Sequence, residues 1–334
     1  MKQFFTQILV IFFFTVPVQT VKSQNTNNPV YYFNPQWSPS GSSIVFESSR
    51  DGKSSIYTIS PDGRDLKKIT DTIFNYGQPS WSPDGKHLVY YGSNHPMQLF
   101  TNSWNGGGQK QLLTPGFDAY QPTWSLQDKI AFDSRSIRET PNNIALMNAD
   151  GTGFTKLTTD EKYDCASPKW SPDGKKILFQ RSMAIRKPWN EITREEMKLK
   201  KKSGEIMIMN ADGTEISILL SNLEGEVAPF WSPDGEIIYY TTKQDTTPVL
   251  YSMKVGKNKP TPVLTLSGTI YSVSISPDGK YITYAAERKK RHAIYFQYRN
   301  KEHRAACFFF IYNFWSIRLS VFKLAKRSWC DIYR

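Results

Sequence analysis

The sequence predicts an all-β fold, a six-bladed β-propeller of four-stranded antiparallel blades. Three observations carry that prediction: one turn motif recurs six times, four of its five intervals lie in the forties, and each copy is followed by a short apolar run. Four copies are well kept, as Trp37-Ser38-Pro39-Ser40-Gly41, Trp81-Ser82-Pro83-Asp84-Gly85, Trp170-Ser171-Pro172-Asp173-Gly174 and Trp231-Ser232-Pro233-Asp234-Gly235. Two are degenerate. Trp124-Ser125-Leu126-Gln127-Asp128 lacks Pro and Gly, and Ile275-Ser276-Pro277-Asp278-Gly279 has Ile for Trp. Successive copies lie 44, 43, 46, 61 and 44 residues apart, the period of a propeller blade.

Ahead of the first blade, residues 1–23 read as a secretory signal peptide: Lys2, an apolar run from Phe4 to Val16, the breaker Pro17 and a Val21-Lys22-Ser23 ending. The run is shorter than the ~20 residues a membrane helix needs. The expected mature chain starts near Gln24 and has no transmembrane segment, which implies a periplasmic or secreted protein. The propeller is expected over residues 24–297.

Within each blade the Ser-Pro-Asp-Gly unit is a tight turn: Pro presets φ, Asp bonds its own backbone and Gly takes a positive φ. The strands that follow, such as Ile44-Val45-Phe46, Leu88-Val89-Tyr90 and Ile177-Leu178-Phe179, are continuous apolar runs, as expected of strands covered on both faces. A third strand ends in a second turn (Asn148-Ala149-Asp150-Gly151, Asn210-Ala211-Asp212-Gly213), and a fourth closes near Leu113-Thr114, Leu157-Thr158 or Leu264-Thr265. The tryptophans fall on the innermost strands, where large rings pack between sheets.

These repeats resemble the TolB-type, WD-like propeller repeat, from residue 34 to about 297. The resemblance implies the six-bladed fold and, as the first functional expectation, a non-catalytic module that binds a protein or peptide of the cell envelope. Related propellers also serve as oligogalacturonate lyases and as gating domains of prolyl-oligopeptidase-type enzymes, so a carbohydrate-active or regulatory role stays open.

Two segments break the period. Residues 183–203 form an insertion in blade four with seven Lys/Arg and three Glu, and Glu191 to Lys202 is expected to be helical. A Glu196 to Lys200 pair at i,i+4 would stabilise such a helix by ~0.3 kcal/mol. After Gln297 the repeat fails. Residues 288–334 carry 12 Lys/Arg against 2 Asp/Glu, most of the chain's net charge of +12. The basic excess therefore lies in the tail, and no nucleic-acid partner is expected. The tail, 298–334, reads either as aberrant coding sequence or as the source of the outer strand of blade six at Cys307–Tyr312; Val30–Phe33 is the alternative closing strand.

Catalytic patterns are missing from the sequence. There is no G-x-S-x-G elbow, C-x-x-C or H-E-x-x-H. Gly52-Lys53-Ser54 lacks the earlier glycine of a phosphate loop, and Gly106-Gly107-Gly108 reads as a turn. Neither His87, His95, His292 and His303 nor the turn aspartates suggest a metal centre, and Cys165, Cys307 and Cys330 imply no structural disulfide. No catalytic residue, metal or cofactor is expected.

In an up-and-down blade the second-to-third loops and the blade connections share one face. That face gathers the variable sequence: Phe74, Tyr76, Phe117, Tyr120, Tyr163 and Tyr271 from the connections, and Arg50, Arg135, Arg138, Arg186 and Trp189 from the loops. Aromatic and arginine side chains dominate interface energetics, so these residues are the expected partner-binding set.

Overall fold

The computed structural model describes residues 29–298, apart from 94–95, 113, 115, 137–140, 188, 226–227, 245–246, 258, 267 and 289–290, together with 308–310. Six four-stranded sheets, each an antiparallel meander of consecutive strands, make up the ring. Blade one holds β1 (Tyr32–Trp37), β2 (Ile44–Ser48), β3 (Ser55–Ile59) and β4 (Lys67–Lys68); blade two holds β5 (Tyr76–Trp81), β6 (His87–Gly92), β7 (Gln98–Ser103) and β8 (Lys110–Leu112). Blade three runs β9 (Phe117–Trp124), β10 (Lys129–Ser136), β11 (Asn143–Asn148) and β12 (Thr155–Lys156); blade four runs β13 (Tyr163–Trp170), β14 (Lys176–Met183), β15 (Gly204–Asn210) and β16 (Ser217–Leu223). Blade five contains β17 (Phe230–Trp231), β18 (Ile237–Gln244), β19 (Thr247–Lys254) and β20 (Thr261–Thr265), and blade six β21 (Thr269–Ile275), β22 (Tyr281–Arg288), β23 (Arg291–Tyr298) and β24 (Phe308–Phe310).

Local chemistry fixes the hairpins. In blade two, Ser82 Oγ donates to Asp84 Oδ1 at 2.6 Å and Lys86 N donates to the same oxygen at 2.9 Å, while Gly85 takes φ 68°. The same bonds recur at Asp173 and Asp278, so these carboxylates are engaged by their own turns and held below the usual carboxylate range, first by the serine hydroxyl and then by the backbone N–H. In blade three Asp128 stands at φ 59° where the other turns have glycine.

The apolar runs lie where face-to-face blades cover both sides: Ile44, Val45 and Phe46 are completely buried, as are Leu88, Val89 and Tyr90. Tryptophan stitches neighbouring blades. Trp81 Nε1 donates to Gln36 O (3.2 Å), Trp170 Nε1 to Thr123 O (3.2 Å) and Trp231 Nε1 to Lys169 O (3.1 Å); each acceptor immediately precedes the Trp of the blade before.

From blade one to blade five the first strands of neighbouring blades touch, blades five and six share a core of Tyr239, Leu250, Ile282, Tyr284 and Tyr295, and β1 meets β21, β22 and β23, which closes the ring. Among the described residues no sheet is shared between the two ends of the ring. The outer place of blade six is taken by β24, pairing Phe308 to Phe310 with Phe296 to Ile294. Tyr32 and Phe33 instead belong to the inner strand of blade one, so Val30–Phe33 does not close blade six. The rest of the tail and the signal segment lie outside the described residues.

Candidate partner-binding face

Inner strands β1, β5, β9 and β13 each carry a register shift just before Pro-x-Trp. The residue ahead of that proline, Asn34, Gln78, Gln121 or Ser167, has a left-handed φ between 49° and 57°. Its backbone N–H leaves the sheet ladder and needs another acceptor. In every case the preceding blade supplies a side chain: Ser272 Oγ for Asn34 N (2.9 Å), Glu47 Oε2 for Gln78 N (3.2 Å), Gln78 Oε1 for Gln121 N (2.9 Å) and Asp133 Oδ1 for Ser167 N (2.8 Å).

Glu47 and Asp133 occupy equivalent places, three residues after the first apolar residue of β2 and β10. Burial pushes both carboxyls above the ordinary range, against the hydrogen bonds that lower them. Burial likewise lowers the Lys169 ammonium, against the attraction of Asp133. Glu47 also accepts from Ser54 Oγ (2.8 Å) and Asn34 Nδ2 (3.3 Å). A Cβ at Gly77 would lie 2.6 Å from Glu47 Oε2 and 2.7 Å from the Tyr91 ring, so only glycine fits beside this carboxylate. The chemistry is structural: buried acids satisfying strained backbone, each tied to a neighbouring blade.

The loop-rich face is assembled as topology demands. Second-to-third loops reach the start of the next blade, with Met97 N donating to Asp118 Oδ1 (2.6 Å), Asn142 N to Asp164 Oδ1 (3.1 Å) and Ser54 N to Asn75 Oδ1 (3.0 Å). Among the expected residues, Tyr76 is fully buried, its hydroxyl donating to Asp71 Oδ1 (2.7 Å), and Phe74 packs on it. Phe117 stacks on Phe154 beneath Lys156, and Tyr120 packs near Tyr91. Tyr163 is covered by the Arg181 guanidinium 4.5 Å from its ring. Arg50 lies half-buried 5.8 Å from the Tyr57 ring, and Arg135 and Arg186 are exposed. Trp189 opens a 3-10 turn over Trp189–Glu191. Arg138 lies outside the described residues.

Tyr271 belongs to a cluster that sequence reasoning passed over. It stacks 5.2 Å from His292, meets Phe33 edge-on at 5.0 Å, and its hydroxyl is 3.3 Å from Glu287 Oε2; Tyr31 meets His292 edge-on at 4.5 Å. The cluster joins blade one to blade six and leaves Tyr31 and Tyr271 each 38% exposed.

The insertion is helical over α1 (Arg194–Lys201), shorter than the expected 191–202. Thr193 caps it: its Oγ1 accepts from Glu196 N, and Glu196 reaches back to Thr193 N. The expected Glu196 to Lys200 pair gives way to longer-range partners. Glu196 takes Lys187 Nζ at 2.7 Å, and Lys200 Nζ donates to Asp164 Oδ2 at 2.5 Å, docking the helix on β13. Lys187 and the Thr193 cap hold Glu196 down at about 2.

Among the described residues no group of three or more His, Cys, Asp and Glu is placed to hold a metal ion, and no helix is long and apolar enough to cross a membrane. The chain is a six-bladed β-propeller whose blades are consecutive four-stranded meanders. It belongs to the TolB beta propeller domain family, whose model matches residues 10–197 and 196–306. The Tol-Pal system protein TolB of Francisella tularensis is 31% identical over 85 residues, 25% of this chain and 20% of that protein. An uncharacterized peptidase of Bacillus subtilis, YuxL, is 23% identical over 164 residues, 45% of this chain and 22% of that protein. The aligned segments thus span about a fifth of these curated relatives. In fold, the chain is similar to the crystal structure of TolB from Acinetobacter baumannii, with a TM-score of 0.60 and 16% identity over 81% of this chain and 61% of that one.

Proposed function

We propose that the chain is an exported, non-catalytic binding module that takes a protein or peptide of the cell envelope on its loop-rich face. The observation that carries this reading is the exposed aromatic pair Tyr31 and Tyr271, backed by Phe33 and His292 and beside Glu287, on the face that also exposes Arg135 and Arg186. Rings of this kind supply large contact area at low entropic cost, and arginine adds directed hydrogen bonds. Membership of the TolB propeller family supports an envelope protein as the partner. The buried acids Glu47 and Asp133 are consistent with it, since both are occupied in holding backbone N–H groups.

A photo-crosslinking residue placed at Tyr271 or Arg135 is expected to trap a discrete envelope protein in cells, while one at Asp62, in a turn on the opposite face, is not. Equal trapping from both faces would reject the binding face. Release of unsaturated uronides from oligogalacturonate by the purified protein would reject the non-catalytic reading. Export is tested by N-terminal sequencing, with Gln24 as the expected first residue.

A further inference from the structure

Helix α1 carries an uncompensated cationic surface. Its inward positions are spent on the propeller: Lys200 binds Asp164, Glu196 binds Lys187 and its own cap, and Met197 is half-buried. At 100° per residue the remaining positions share one outward arc, with Lys201, Arg194, Lys198 and Lys202 in sequence around it and Glu195 and Leu199 at its edge. All six are exposed, Leu199 to 55%. None of the four cations has an ion-pair partner among the described residues, although Lys187, ahead of the helix, and Lys200, on its inward side, both do.

We propose that this arc of α1 docks the protein onto an anionic lipid bilayer surface. The shape favours lipid over protein. A specific protein interface buries about 800 Å² on each partner, whereas the outward arc of α1 is two convex turns of a single eight-residue helix. Anionic headgroups need no pocket; each Lys or Arg near the surface adds its attraction independently, and an exposed leucine flanking the cations enters the headgroup layer. This surface is separate from the aromatic cluster at blades one and six, so a soluble partner and a bilayer do not compete for the same side chains.

The test is co-sedimentation of the full chain with vesicles of about 30% phosphatidylglycerol in phosphatidylcholine, against pure phosphatidylcholine, at low and at about 0.5 M salt. Binding is expected only to the anionic vesicles and only at low salt. The triple variant K198E/K201E/K202E should lose roughly 100-fold in partitioning. Its three side chains are exposed and make no described hydrogen bond, so an unchanged thermal transition confirms that it folds. L199D should weaken binding less than the triple variant and leave its salt dependence intact. Equal sedimentation with neutral vesicles, or wild-type sedimentation of the triple variant, overturns the proposal. So does capture of soluble polyglutamate by the wild type without sedimentation on anionic vesicles, which would assign the helix to an acidic polypeptide.

Discussion

The indole nitrogen of Trp124 donates to Asp128 Oδ1 at 2.9 Å, inside its own blade, whereas Trp81, Trp170 and Trp231 reach back to the preceding one. Blade three has lost the Pro-Asp-Gly turn, and Asp128 compensates twice: it adopts the left-handed backbone that glycine would take, and its carboxylate captures the indole. Asp128→Ala removes the acceptor and leaves a Cβ at φ 59°, so a loss of about 2 kcal/mol is expected in urea denaturation. Asp128→Gly relieves the backbone while losing the bond, and should cost less than half as much. Equal losses in the two variants would show that the hydrogen bond alone matters.

Ser272→Ala tests the joint between the ends of the ring. It strips the acceptor from Asn34 N, whose left-handed backbone offers that N–H no ladder partner. A loss of about 1 to 2 kcal/mol is expected, with faster amide exchange in β1 and β21 than in β9 and β13. Uniform acceleration around the ring would contradict a local joint.

Asp133 sets a pH dependence. Burial raises its folded pKa above the unfolded value, so the folded state binds the proton more tightly and stability falls as pH climbs from the ordinary Asp range toward the raised folded value. Asp133→Asn keeps an oxygen for Ser167 N and removes the charge. The variant should lack that decline when denaturation midpoints are compared between acidic and neutral pH. An identical slope in variant and wild type would place the titration elsewhere.

Cys165 is 1% exposed, and burial pushes its thiol up to about 12, so little thiolate exists at neutral pH. Iodoacetamide should leave it unlabelled in the native protein and label it fully in denaturant, as read by peptide mass spectrometry. Native labelling at the denatured rate would mean that blades three and four separate in solution.

What the sequence discloses follows the range of each interaction. Ser82, Asp84 and Gly85 make their turn within a few residues, so the motif alone yields blade number, strand order and the sidedness of the loops. The acceptors of the left-handed N–H groups sit one blade away, and that of Asn34 lies 238 residues away, beyond any local pattern. A signal was nonetheless present: Pro35, Pro79, Pro122, Pro168 and Pro229 all stand two residues before a tryptophan, marking the irregular inner strand. Tyr76 shows the converse failure. Its place in a connection suggested the surface, but its ring fills the interior of blade two, since Gly92 opposite leaves the room. Helix α1 was legible as a helix, whereas its salt links were not, because Lys187 and Asp164 compete successfully with a neighbour one turn away.

Because every sheet is a single uninterrupted stretch of chain and the two ends meet by packing and side-chain hydrogen bonds rather than by a shared ladder among the described residues, the architecture resembles links laid in a circle more than a clasped bracelet. An in-frame gain or loss of one unit would cut through no hydrogen-bonded ladder, and strain applied at the ends should peel blade one from blade six before any blade frays.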